Sequence, residues 1–88
     1  METKLTLNDG TEIQLGSAIL SGNLFLYIRG EDLRTVFDQL IDPEKTKKIT
    51  YTEINGEETE YRRYDKLIAV RDEGNGLITA VLRREVND

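Results

Sequence analysis

The chain contains no cysteine and no histidine. Without cysteine there is no disulfide framework, no zinc–thiolate site and no thiol nucleophile. Without histidine the commonest general base and the commonest metal ligand are missing, and so is the base of any Ser-His or Cys-His nucleophile system. Long apolar runs are also missing. The longest uninterrupted one, Leu24 to Ile28, is far too short to cross a bilayer. The opening segment, Met1 to Gly10, has no apolar core of signal-peptide length. A cytoplasmic location is therefore expected.

What is present is an ordinary globular composition. The 88 residues fit one domain, 1–88, with no linker. Hydrophobic residues make up 38% and charged residues 33%, too apolar for a disordered chain. The formal net charge is −5. An acidic chain repels phosphate backbones and anionic membranes on average. A protein partner or self-association is the expectation that remains, with nucleic acid and membrane set aside.

The periodicity reads mainly as strands. Leu5 and Leu7 alternate with polar residues, as do Ile13 and Leu15, around the turn sequence Asn8-Asp9-Gly10-Thr11. Pairing Leu7 with Ile13 and Leu5 with Leu15 places all four on one face. Ala18-Ile19-Leu20 and Leu24 to Ile28 flank Ser21-Gly22-Asn23 as a second hairpin, and the later run is apolar on both faces. Leu33, Val36, Phe37, Leu40 and Ile41 form one apolar stripe, which predicts a helix over 31–41 with Glu31 and Asp32 in its first turn. Asp42-Pro43 ends it. Lys45 to Glu85 reads as three strands joined by turns at Asn55-Gly56 and Gly74-Asn75-Gly76. The fold class is α+β: six to seven antiparallel strands in hairpins, with one amphipathic helix packed on the sheet.

The stretch YTEINGEETEYRRYDK, Tyr51 to Lys66, draws attention because Tyr61 and Tyr64 enclose Arg62 and Arg63. A three-residue loop, Asn55-Gly56-Glu57, would place Tyr51 opposite Tyr61 and Lys47 opposite Asp65. The hairpin is then acidic at its tip, through Glu53, Glu57, Glu58 and Glu60, and basic at its root. A single-stranded nucleic-acid surface would use Lys48, Arg62, Arg63, Tyr64 and Lys66. Same-face residues in a strand are two apart, however, and Tyr61 and Tyr64 are three apart. A common stacking platform requires a bulge between them.

Other sequences invite chemistry and have plainer explanations. Asn8 to Glu12 resembles part of a calcium loop but lacks the further alternating carboxylates and the bidentate glutamate, so a turn is expected. Arg71 to Gly76 could cradle phosphate only at a helix N-terminus, whereas a strand-like run follows it. Carboxylates are plentiful, but no pair sits in an apolar setting that would raise one pKa. No catalytic constellation can be assembled, and neither catalysis, a cofactor nor a bound metal is expected.

The segments LTLNDGTEIQLG, KKITYTEINGEETEYRRYDKL and GNGLITAVLRRE resemble small acidic proteins encoded in bacterial prophages. The resemblance is one of turns and strand pattern across most of the chain. It implies a virion structural or accessory role and brings no functional residues with it. The expected function is a non-enzymatic interaction module. The alternative is an acidic mimic of nucleic acid that inhibits a host protein through Glu53, Glu57, Glu58 and Glu60. A minor alternative is weak binding of single-stranded nucleic acid.

Overall fold

The computed structural model describes residues 2–84; residues 1 and 85–88, and the side chains of residues 61–65 and 84, lie outside the described residues. Seven strands and one helix follow in the order β1 (Glu2–Thr6), β2 (Glu12–Gln14), β3 (Ser17–Ser21), β4 (Asn23–Arg29), α1 (Arg34–Leu40), β5 (Ile49–Asn55), β6 (Glu58–Gly74) and β7 (Leu77–Arg84). The strands form one antiparallel sheet in the order β2-β1-β5-β6-β7-β4-β3. The α+β class thus holds at the level of an antiparallel sheet and one short helix.

Two stretches of chain serve both halves of this order. The first part of β6 pairs with β5, up to Ile49↔Tyr64, and the rest pairs with β7. A register shift lies between Tyr64 and Lys66, at the change of partner. A bulge is the usual device for bending a strand out of one ladder and into another. On the far side, β2 runs almost directly into β3. The Leu15 amide donates to the Thr3 carbonyl on β1 (3.0 Å), and the next amide, Gly16, donates to the Tyr27 carbonyl on β4 (2.8 Å). A Cβ at Gly16 would stand 3.1 Å from that carbonyl oxygen, which is why the corner carries no side chain. The sheet is therefore two four-stranded halves, β2-β1-β5-β6 and β6-β7-β4-β3, joined at both margins by continuous chain. The expected six to seven strands undercount it, because β6 works as two.

The inner faces of both halves share one core. Leu5, Leu7, Ile13, Ile49 and Tyr51 come from the first half, and Leu24, Leu26, Ile28, Ile78, Ala80 and Leu82 from the second. Each buried Leu or Ile side chain contributes about 1.5–3 kcal/mol by leaving water. The connection from β4 to β5 carries α1, which touches β6 and buries Leu40 in the same cluster.

Several expectations need correction. The first hairpin pairs Leu5 with Ile13 and Lys4 with Gln14, two residues away from the expected register. Its loop is Asn8-Asp9-Gly10, closed by Leu7 N–H to the Thr11 carbonyl (2.8 Å), with Gly10 at φ +89°. A three-residue loop with a left-handed third residue fixes that register. A shift of two preserves the face, so the four apolar residues stay together. The Tyr51 hairpin pairs Asn55 with Glu58 and Tyr51 with Arg62, not Tyr61. Gly56 at φ +65° is the first of two loop residues, Gly56-Glu57, the position at which a II′ turn wants glycine. Lys47 precedes β5 and pairs with Glu44 (2.9 Å); the expected partner Asp65 has its side chain outside the described residues.

The helix is shorter than expected, because Asp32 sits at φ 49°, in the left-handed region that a helix excludes. Glu31 and Asp32 therefore lie outside the first turn. Leu40 is buried, Leu33, Val36 and Phe37 are half-buried, and Ile41, at the C-cap, is 54% exposed. β4 is also not covered equally on both sides. Leu24, Leu26 and Ile28 are buried, while Phe25 and Tyr27 are half-buried.

Candidate functional site

The acidic residues singled out in the sequence gather on the β5–β6 hairpin. Glu53 lies directly across from Glu60, Glu58 across from Asn55, and Glu57 occupies the turn. Glu57, Glu58 and Glu60 are exposed and Glu53 is half-buried. Of the basic set, Lys48 is exposed just before β5 and Lys66 is exposed on β6 opposite Arg83. Arg62, Arg63 and Tyr64 fall in β6, but their side chains, with those of Tyr61 and Asp65, lie outside the described residues.

The two glycine-rich candidates are turns. The Asp9 carboxylate accepts from the Thr11 amide (3.0 Å) and pairs with Lys45 (3.3 Å). The Thr11 hydroxyl and amide, with a smaller part from Lys45, hold the Asp9 carboxyl at about 2, below its ordinary 3.8. The Asn8 amide donates to the Lys45 carbonyl (2.8 Å), so this loop is pinned to the segment that follows α1. At the other site, Asn75 (φ 55°) and Gly76 (φ 72°) form a two-residue turn of the I′ kind. The Asp72 carboxylate caps the Gly74 amide (2.9 Å), and Gly76 accepts from the Gly30 amide (3.1 Å).

A third surface is built from residues not singled out in the sequence. On the second half, the face away from the core carries the cross-strand row Ile19–Phe25–Val81–Ala69, each a direct neighbour of the next. Ile19 is 53% exposed, Ala69 is exposed, and Phe25 and Val81 are half-buried. Four strands at about 4.8 Å spacing make the row about 14 Å wide. The β6–β7 register skips one β6 residue between Leu67 and Ala69; that residue, Ile68, stands beside the row and is 46% exposed. Single exposed apolar residues mean little, whereas a contiguous row marks an interaction surface.

This surface left a signal in the sequence. No charged residue occurs from Gln14 to Ile28, in a chain one-third charged. The same stretch reads equally well as core strands, and only the burial separates its two faces.

Among the described residues no helix is long and apolar enough to cross a membrane, and no group of three or more His, Cys, Asp or Glu could hold a metal ion. Compared with known proteins, the chain matches no family model, no curated protein and no solved structure.

Proposed function

We propose that the protein is a non-enzymatic interaction module that meets another protein surface through the outer face of its second half-sheet. The observation that carries this is the row Ile19–Phe25–Val81–Ala69, with Ile19, Ala69 and the adjacent Ile68 exposed and Phe25 and Val81 half-buried. A core-facing row would be covered by α1 or by the other half, and this one faces away from both. The lack of histidine and cysteine supports the non-enzymatic part. The resemblance to small prophage-encoded proteins supports a virion or accessory setting. Ile68→Lys should leave the circular dichroism spectrum unchanged, because Ile68 is the extra residue of a bulge. It should also remove the protein's binding partner in affinity capture from the native source. Retention of the same partner by the variant would move the interaction elsewhere.

A second proposal rests on the β5–β6 tip, where Glu57 and Glu58 are exposed and Glu53 faces Glu60. An acidic projection of this kind can imitate a phosphate backbone toward a basic host protein. Glu57→Lys with Glu58→Lys should then abolish that binding, and binding should fall steeply with added salt. Salt-independent binding would remove this alternative.

A further inference from the structure

The strand β3, Ser17-Ala18-Ile19-Leu20-Ser21, pairs with β4 on one side, and no strand among the described residues pairs with its other side. Soluble proteins usually guard such an edge with charge, proline or a bulge. β3 has no charged residue and no proline, and it pairs with β4 residue for residue from Ser17↔Tyr27 to Ser21↔Asn23. It also exposes an apolar side chain on each face, Ile19 outward and Leu20 on the core side. The other outermost strand, β2, is different: it is three residues long and carries Glu12, paired with Lys4 at 2.7 Å.

We propose that two copies of this chain pair antiparallel through the free edges of their β3 strands, about a two-fold axis at Ile19. This goes beyond the interaction-module reading, placing a second copy at the strand edge that borders the outer face. Three observations select a second copy. First, the strand is nearly palindromic. Antiparallel pairing about Ile19 sets Ile19 against Ile19, Ser17 against Ser21, and Ala18 against Leu20, so small meets large and hydroxyl meets hydroxyl. Second, each copy carries a net charge of −5 and repels the other, least where neither presents charge at the contact. Gln14 to Ile28 is such a place. Third, the pairing extends the outer row without a break. Ala69–Val81–Phe25–Ile19 of one copy continues into Ile19–Phe25–Val81–Ala69 of the other, across eight strands.

A five-residue edge is about 17 Å long, small for a protein interface, so the pairing is sought from micromolar concentrations upward. Screening by salt relieves the repulsion between the two acidic copies, so salt strengthens the dimer. An acidic-tip interaction would respond in the opposite sense.

The test is sedimentation equilibrium on the full chain from about 1 μM to about 1 mM. The expected result is a concentration-dependent rise toward twice the 10.1 kDa monomer mass, stronger at high salt. Ile19→Lys, checked for folding by circular dichroism, should remain monomeric throughout. Because the chain has no cysteine, Ile19→Cys supplies a second readout that does not depend on Ile19→Lys folding. Mild oxidation should convert Ile19→Cys to a covalent dimer at least tenfold faster than Thr35→Cys on the exposed side of α1. A wild-type monomer at every concentration overturns the pairing, as does a dimer that Ile19→Lys leaves intact. If the wild type is monomeric and Ile68→Lys still abolishes capture of a different protein, the self-pairing falls and the interaction-module reading stands. If the wild type is monomeric and nothing is captured, both fall.

Discussion

Two glycines with similar backbone angles have different reasons to be glycine. Gly22 (φ +75°) would have nothing within 4 Å of an added Cβ, so Gly22→Ala costs only the left-handed penalty, about 1–2 kcal/mol. Gly76 (φ +72°) would place its Cβ 2.6 Å from the Gly30 carbonyl oxygen, a backbone atom that cannot swing aside. Gly76→Ala should therefore cost about 1–3 kcal/mol more than Gly22→Ala, the usual cost of overpacking, in paired urea denaturations. Equal costs would mean that the Gly30–Gly76 approach opens easily. Asp9 makes a prediction about pH. Its carboxyl is held at about 2 against an ordinary 3.8, so in that window the unfolded chain binds more protons than the folded one. The stabilisation is present in full above pH 3.8 and is lost as pH falls through about 2. Asp9→Asn should flatten the pH dependence of the urea midpoint between about pH 4 and 2. An unchanged slope would place the acid sensitivity on other carboxylates.

At the scale of elements, the helix departs from its sequence pattern in its ends and in how much of its apolar stripe is buried. The stripe Leu33, Val36, Phe37 and Leu40 does turn toward the core, while Ile41, which fits the same period, is the exposed C-cap. Leu40→Ala should cost about 2–5 kcal/mol, and Ile41→Ala should stay within about 0.5 kcal/mol. Thermal or urea unfolding of the two single variants would check this, and a large loss from Ile41→Ala would move the helix register. The limits were not legible because Asp32 at a positive φ leaves no mark on hydrophobic period. Hairpins were legible to the same depth. Asn-Gly and Asp-Gly sequences located the turns, but which residues occupy the loop depends on the backbone angles of Gly10 and Gly56. Both registers therefore differ from those the side-chain pattern favours. Charge had a parallel effect on the site. Arginines and glutamates around Tyr51 to Lys66 stand out in a sequence, whereas the uncharged stretch Gln14 to Ile28 becomes a surface only when Phe25 and Ile19 are seen to face away from Leu24 and Leu26.

For the whole molecule, the decisive feature is one that no local pattern encodes. β1 finds β5, and β4 finds β7, each across about fifty residues of chain, while β6 and the segment 12–21 hold both halves together at opposite margins. Such pairing depends on sequence-distant contacts that periodicity cannot assign, so strand order stayed open while strand existence did not. It has an energetic consequence. The two halves share one core, the strand β6 and the continuous segment 12–21, and each half alone would expose its own inner face. They should therefore unfold as a single cooperative unit. Leu82→Ala, deep in the second half, removes about 2–5 kcal/mol from a domain whose total stability is about 5–15 kcal/mol. If the halves are one unit, that loss lowers amide-exchange protection in β1 and β5 by as much as in β7 and β4. Leu5→Ala, from the first half, should give the mirror-image result. If β1 and β5 keep their wild-type protection in Leu82→Ala, the halves open separately. The corner at Leu15-Gly16 and the bulge at Tyr64/Lys66 would then act as hinges between two independent sheets rather than as the seams of one.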